Sequence, residues 1–305
     1  DTQLRACTAT WSGPRPPGRT RPRPTEPAVP ERLGVYAVKG LLGEGGMARV
    51  YLAQHTGIDR LVAIKRLLPE LAGHAEAHAL LLREARIAGS IRHPNLVEIF
   101  DFGYDADGRP YYVMELAPGE TLAQRLEHGP LLLGEALDTA IAIADAVAAV
   151  HQAGYVHRDI KTDNVMLARE DRRLVPKLID FGIACRIDAP ADHPEGVAGT
   201  PRVMAPEQVA RDRVDERTDI WGLGATLFEL LAGVPPFGGG TILQLLLRVR
   251  EGEPDDLRKL RPSVPVGLQQ VVLRCLEKDR EERYGDMNAL AAALAPFAPG
   301  STGSD

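Results

Sequence analysis

The sequence is short of cysteine, of surplus positive charge and of unbroken apolar runs. Three cysteines, Cys7, Cys185 and Cys275, are scattered over 305 residues, an odd set that gives neither a disulfide framework nor metal-ligand spacing. A reducing compartment fits that usage, and a cytoplasmic location is the expectation. Acidic side chains outnumber basic ones, 42 to 36, for a net charge of -6, so no broad positive field exists and no nucleic-acid partner is expected. The longest apolar-looking segment, Leu131 to Val150, is broken by Glu135, Asp138 and Asp145, which makes it a poor membrane span. The chain begins at Asp1 and not at a methionine, as expected of a piece of a longer protein; a membrane anchor elsewhere in a parent chain stays open.

What is present suits a sizeable core. Hydrophobic residues make up 44% of the chain, an ordinary share for a globular protein, and the length allows one large domain or two lobes. Residues 1–30 are crowded with Pro and Arg and hold too little apolar surface to offset their conformational entropy. They read as a disordered tail, a linker or else a ligand for a partner's aromatic groove. From Gly34 the chain turns to short β-rich runs, at 35–42, 50–53 and 61–67. Between the first two lies Gly43-Glu44-Gly45-Gly46-Met47-Ala48-Arg49-Val50, a turn whose glycines allow backbone amides to approach phosphate oxygens. A simple tight turn is the plainer reading of that stretch alone.

Lys65 ends the apolar run Val62-Ala63-Ile64, and nineteen residues later an amphipathic run, 80–86, carries Glu84. A Lys65–Glu84 pair would hold an otherwise flexible ammonium in one place. Further strand-like runs follow at 96–100 and 111–116. After Pro118-Gly119 the character becomes helical, with apolar residues every three to four positions over 122–126 and 135–151. Residues 157–164 then read His-Arg-Asp-Ile-Lys-Thr-Asp-Asn. Phosphoryl transfer needs a carboxylate to orient the incoming hydroxyl, a cation to meet developing charge and an oxygen ligand for magnesium; Asp159, Lys161 and Asn164 supply those three groups. An ordinary polar turn after a helix is the bland alternative for eight residues in isolation. The apolar strand run Lys177-Leu178-Ile179 then delivers Asp180 ahead of Phe181-Gly182, where Asp180 suits a second hard-oxygen magnesium ligand. Residues 183–199 lack periodicity and read as a loop, and 298–305 form a polar tail.

Taken in order, the glycine-rich loop, strand lysine, helix glutamate, His-Arg-Asp loop, Asp-Phe-Gly, Ala205-Pro206-Glu207, the Asp219-Ile220-Trp221-Gly222-Leu223-Gly224 helix and the late Arg283 resemble the protein kinase family. The resemblance covers about residues 34–297. It implies an α+β, two-lobed fold: a small β-rich lobe with one key helix over about 34–116 and a larger, mainly helical lobe over about 119–297, within a domain at 31–297. It also implies ATP and Mg²⁺, with Mn²⁺ as a substitute, and protein substrates bearing Ser or Thr acceptors. The chain itself would be among those substrates, and a second copy of the chain would be a further partner.

By the same resemblance Leu42, Gly43, Glu44, Gly45, Gly46 and Val50 lie over the nucleotide, and Lys65, oriented by Glu84, meets its phosphates. Ala63, Val50 and Met166 sandwich the base, although apolar core would explain those three in almost any fold. Met114 stands behind the base, Glu115 and Ala117 offer backbone groups to it, and Glu120 reaches the ribose. Asp159 orients the acceptor hydroxyl, Lys161 stabilises the moving group, and Asn164 and Asp180 hold the metal. Glu207, Arg283 and Asp219 are expected to be scaffold.

Lys161 and Thr200 look like the Ser/Thr branch, and the lid loop and Arg83-Glu84-Ala85-Arg86 are similar to bacterial members. Glu120 and Asp163 suggest tolerance of basic residues near the acceptor. Ala48 replaces the third lid glycine, Thr162 a usual proline and Val203 a common tyrosine. Residues 183–199 contain no Ser, Thr or Tyr, so a carboxylate of Asp188, Asp192 or Glu195 is expected to take part of the role that a loop phosphate plays beside Arg158. A catalytically silent scaffold would have lost one of Lys65, Asp159, Asn164 or Asp180, and all four are present. A small-molecule kinase would lack the Ala-Pro-Glu segment with its late arginine, and this chain has both.

Overall fold

The computed structural model describes residues 30–171, 173–182, 184–187 and 200–298. The tail at 1–29, the last seven residues, and Asp188, Asp192 and Glu195 lie outside the described residues.

Short β-rich runs between residues 32 and 115 pair into one antiparallel sheet, with β-branched and aromatic residues in its most buried strands. Its strands are β1 (Arg32–Leu33), β2 (Tyr36–Glu44), β3 (Ala48–His55), β4 (Leu61–Leu67), β5 (Ile99–Tyr104) and β6 (Pro110–Glu115), in the order β1-β2-β3-β4-β6-β5. The register of β2 against β3 slips twice, at Val38/Gly40 and at Leu41/Gly43; such bulges bend a strand and sharpen its twist. Helix α1 (Ala75–Ser90) packs on the face that carries Val50, Ala63, Tyr112 and Met114, burying Leu81 and Ala85 against them. Ala48 belongs to that same cluster, so the methyl that replaces the expected glycine fills core space.

The remainder is mainly helical, as expected, and also carries a second sheet. Strands β7 (Gly119–Thr121), β9 (Val165–Glu170) and β10 (Arg173–Leu178) pair in the order β10-β9-β7, while β8 (Tyr155–Val156) pairs with β11 (Cys185–Arg186). Gly119 is required here: a Cβ would lie 1.9 Å from the Leu167 carbonyl oxygen. Helix α2 (Leu122–Glu127) starts with a capping box, Thr121 Oγ1 accepting from the Gln124 amide and Gln124 Oε1 from the Thr121 amide.

Helix α3 (Leu133–Gln152) buries Leu137, Ile143, Ala144 and Val147, an apolar face at helical spacing. It packs on α5 (Glu216–Ala232), which is buried almost all round, and on α9 (Met287–Leu294). Short α4 (Pro206–Ala210) precedes α5, while α6 (Ile242–Glu251), α7 (Leu257–Leu260) and α8 (Val266–Cys275) lie between α5 and α9. Gly224 lets α5 meet α8 closely, since a Cβ there would come within 2.3 Å of the Cys275 Cβ. The two layers are stitched where the Val97 amide donates to the Leu178 carbonyl (3.0 Å) and the Leu178 amide to that of Asn95 (2.8 Å). Among the described residues no helix is long and apolar enough to cross a membrane.

Candidate active site

The site forms where the ends of β4, α1 and β10 meet the loop after β8. Lys65 Nζ, on β4, donates to Glu84 Oε1 on α1 at 2.6 Å and to Asp180 Oδ1, just past β10, at 3.3 Å. The Glu84 carboxylate also accepts from Tyr112 Oη at 2.7 Å. Burial works against the Lys65 ammonium, yet Asp180 and Glu84 together raise its pKa above the ordinary lysine value. Burial pushes the Glu84 carboxyl up to about 7, with Lys65 opposing and Asp180 adding to the rise. Asp180 moves the other way: burial opposes its ionisation, but Lys65 and the Gly182 amide, which donates to Oδ1 at 2.9 Å, hold it down to about 2.

Below this triad the loop at 157–164 is pinned from behind. Asp219 Oδ2 accepts from the His157 amide (2.8 Å) and Oδ1 from the Arg158 amide (2.7 Å), and its carboxylate pairs with His151 Nε2 at 2.8 Å. Arg158 needs that grip, because its φ of 71° lies in the left-handed region disfavoured for a side chain of this size. Gln208 Nε2 adds a bond to the Arg158 carbonyl (3.0 Å). Asp159, thus placed, has both carboxylate oxygens engaged. Oδ2 accepts from Lys161 Nζ at 2.6 Å and from Asn164 Nδ2 at 3.1 Å, while Oδ1 accepts from the Thr200 amide at 3.2 Å. Lys161 Nζ also donates to Thr200 Oγ1.

Asn164 gives its Nδ2 to Asp159, while its Oδ1 is buried with no partner among the described residues. An orphaned buried carbonyl oxygen is costly unless a ligand meets it. The Ile179 amide donates to the Asn164 carbonyl at 3.0 Å, so Asp180 follows directly on the residue bonded to Asn164, and the two residues supply hard oxygens. That donor set fits a divalent ion of the magnesium kind.

The other expected residues distribute unevenly. Gly43 to Gly46 form the end of β2 and its turn, closed by the Gly45 amide on the Ala48 carbonyl (2.8 Å), and Glu44 pairs with Arg49 at 2.6 Å. Val50, Ala63 and Met114 are buried together in the core of the sheet lobe with Leu42 against them, whereas Met166 is buried on β9. Glu115 spends its amide on the Glu98 carbonyl (2.8 Å) and its carboxylate on Lys177 (2.8 Å). Ala117 and Glu120 are part-exposed, Glu120 on β7. Asp163, expected from the sequence to favour basic residues near the acceptor, is paired with Arg202 Nη2 at 2.7 Å, so a basic substrate residue would have to compete with Arg202. Val203 is buried in the helical core.

Sequence reasoning overlooked Tyr112 and Gln208. Tyr112 stands two positions before Met114 on one strand, hence on the same face, and that period was the available signal. Nothing local marks Gln208, whose partner is fifty residues away.

Comparison with known families agrees with this geometry. The family model described as "Protein kinase domain" matches residues 36–294. The chain belongs to the protein kinase family. Among relatives, this kinase domain is 36% identical over 268 residues to the serine/threonine-protein kinase pkn2 of Myxococcus xanthus, covering 86% of this chain and 32% of the relative. It is 38% identical over 253 residues to the serine/threonine-protein kinase PrkC of Bacillus subtilis, covering 82% and 38%. It is 36% identical over 270 residues to PknE of Mycobacterium bovis, a third serine/threonine-protein kinase, covering 87% and 47%. The chain thus spans less than half the length of these three. Membership implies ATP and a divalent metal ion.

Proposed function

We propose that the chain transfers the γ-phosphoryl group of ATP, as its Mg²⁺ complex, to Ser or Thr hydroxyls of proteins, including its own. The observation that carries this reading is the Asp159 carboxylate held on both oxygens by Lys161, Asn164 and Thr200 within 3.2 Å. A carboxylate so fixed orients a hydroxyl and takes up its proton without reorganising. Lys161, shared between Asp159 and Thr200, keeps a cation where negative charge grows. Lys65, fixed by Glu84, meets phosphate oxygens from above, and Asn164 Oδ1 with Asp180 would hold the ion. When bound, the ion supplies neutralisation of phosphate charge. Substrate specificity near Asp163 then depends on whether Arg202 is displaced.

The test is incubation with ATP and either Mg²⁺ or Mn²⁺ against a randomised peptide library holding Ser, Thr and Tyr. Phosphate on Ser and Thr, with Mg²⁺ at least as effective as Mn²⁺, is the expected result. Phosphate on Tyr alone, or none with either ion, overturns the reading.

A further inference from the structure

A second candidate site lies on the helical lobe, outside the residues used above for phosphoryl transfer. A cavity of about 490 Å³, open to solvent, is walled by the α4 end, the segment after it, the end of α6 and the loop after α8. Arg213, Arg250, Lys278 and Arg280 line it. In a chain of net charge -6, four cations around one cavity run against the average.

The carboxylates there do not cancel them. Glu207 is committed to Arg283, with bonds of 2.8 and 2.9 Å, and Asp279 accepts from the Glu281 amide at 2.9 Å. Asp212, exposed on the rim, is the third acid of the lining. Arg280 donates to the Arg213 carbonyl, and its ion pairs are long, 3.7 Å to Asp215 and 4.0 Å to Glu281. Among the described residues Arg213, Arg250 and Lys278 form no ion pair.

Lys278 is the anchor of the cluster. Its Nζ donates to the Val249 carbonyl at 2.8 Å and lies 4.2 Å from the Phe237 ring centroid and 5.0 Å from that of Trp221. Aromatic faces and helix-end carbonyls hold the ammonium in place. Burial, with Arg283 and Arg248 adding, nevertheless pushes Lys278 down to about 8 against Glu253 and Glu277. The cation lacks an anion, and an arriving anion would stabilise it.

We propose that this cavity docks a phosphorylated serine or threonine carried on a peptide. A phosphate brings nearly two charges and three acceptor oxygens, which match guanidinium forks and an ammonium better than one carboxylate does. The cavity is larger than a lone phosphoryl group, leaving room for the side chain and flanking backbone that carry it. This inference stands apart from the proposed transfer activity.

The test measures fluorescence anisotropy of a labelled phosphothreonine peptide with the full chain, with inorganic phosphate as competitor. Parallel arms use the unphosphorylated peptide and vesicles of anionic phospholipid. The locus is tested with Arg213→Ala/Arg250→Ala, two exposed positions away from the phosphoryl-transfer groups, after confirming an unchanged thermal midpoint. The expected result is phosphate-dependent binding that the double variant weakens by about tenfold or more, with transfer to an unrelated peptide unchanged. Equal binding of the unphosphorylated peptide, equal binding by the double variant, or loss of vesicle binding without any phosphopeptide binding would overturn the proposal. Competition by free phosphate at the same concentration as the phosphopeptide would overturn the peptide as occupant.

Discussion

Two buried ion groups in this molecule look alike on paper and are built differently. Glu207 and Arg283 form a bidentate pair at 2.8 and 2.9 Å, with Thr218 Oγ1 donating to Glu207 and the Arg217 and Glu277 carbonyls accepting from Arg283. The strong donors and acceptors of that pair are largely used up. In the Lys65–Glu84–Asp180 group two carboxyls compete for one ammonium, and Glu84 Oε2 and nearby Asn164 Oδ1 are buried without a hydrogen-bond partner among the described residues. A closed group holds the fold together; an open one keeps capacity for a ligand.

The largest expected effect that separates them is on catalysis. Lys65→Met should lower phosphoryl transfer at least about a hundredfold, read in a steady-state peptide assay. Its cost in stability should stay under about 2 kcal/mol, because burial favours the neutral form of the Glu84 carboxyl once the ammonium is gone and Tyr112 Oη still bonds it. Arg283→Ala should do the reverse in kind, destabilising by about 3–5 kcal/mol in urea titration as Glu207 is left buried and unpaired. If both variants lost the same stability, the distinction would fail.

A smaller effect comes from acid. Burial opposes ionisation of Glu207, yet Arg283 holds its carboxyl below the ordinary 4.5. Since the folded value is depressed, its contribution is present above about pH 4.5 and is lost as pH falls through the folded value. Glu207→Gln should therefore flatten the fall of urea midpoint as the pH drops below about 4.5. The smallest effect belongs to Arg202, 41% exposed in its pairing with Asp163: Arg202→Ala should change stability by less than about 1 kcal/mol, measured by thermal melt.

Much of this was legible in the chain before its fold. Short β-rich runs foretold the first sheet, and the ordered motifs named Lys65, Glu84, Asp159, Asn164 and Asp180 because each sits beside a strand end, a helix face or a turn with local sequence marks. The second sheet was legible only at the end of β10, the strand run ahead of Asp180: β7 is three residues long, and β9 is bounded by polar residues that read equally as loop. Pairings such as Asp163 with Arg202, thirty-nine residues apart, leave no periodicity, so the sequence showed an acidic side chain without its partner.

The most direct test of the account is the single-turnover transfer rate of Asp159→Asn, compared with the parent chain at matched folded fraction. A carboxamide keeps the shape yet cannot take the hydroxyl proton, and the rate should fall by about a hundredfold or more with the thermal midpoint nearly unchanged. A rate within a few-fold of the parent would contradict the assignment of this loop as the site of transfer.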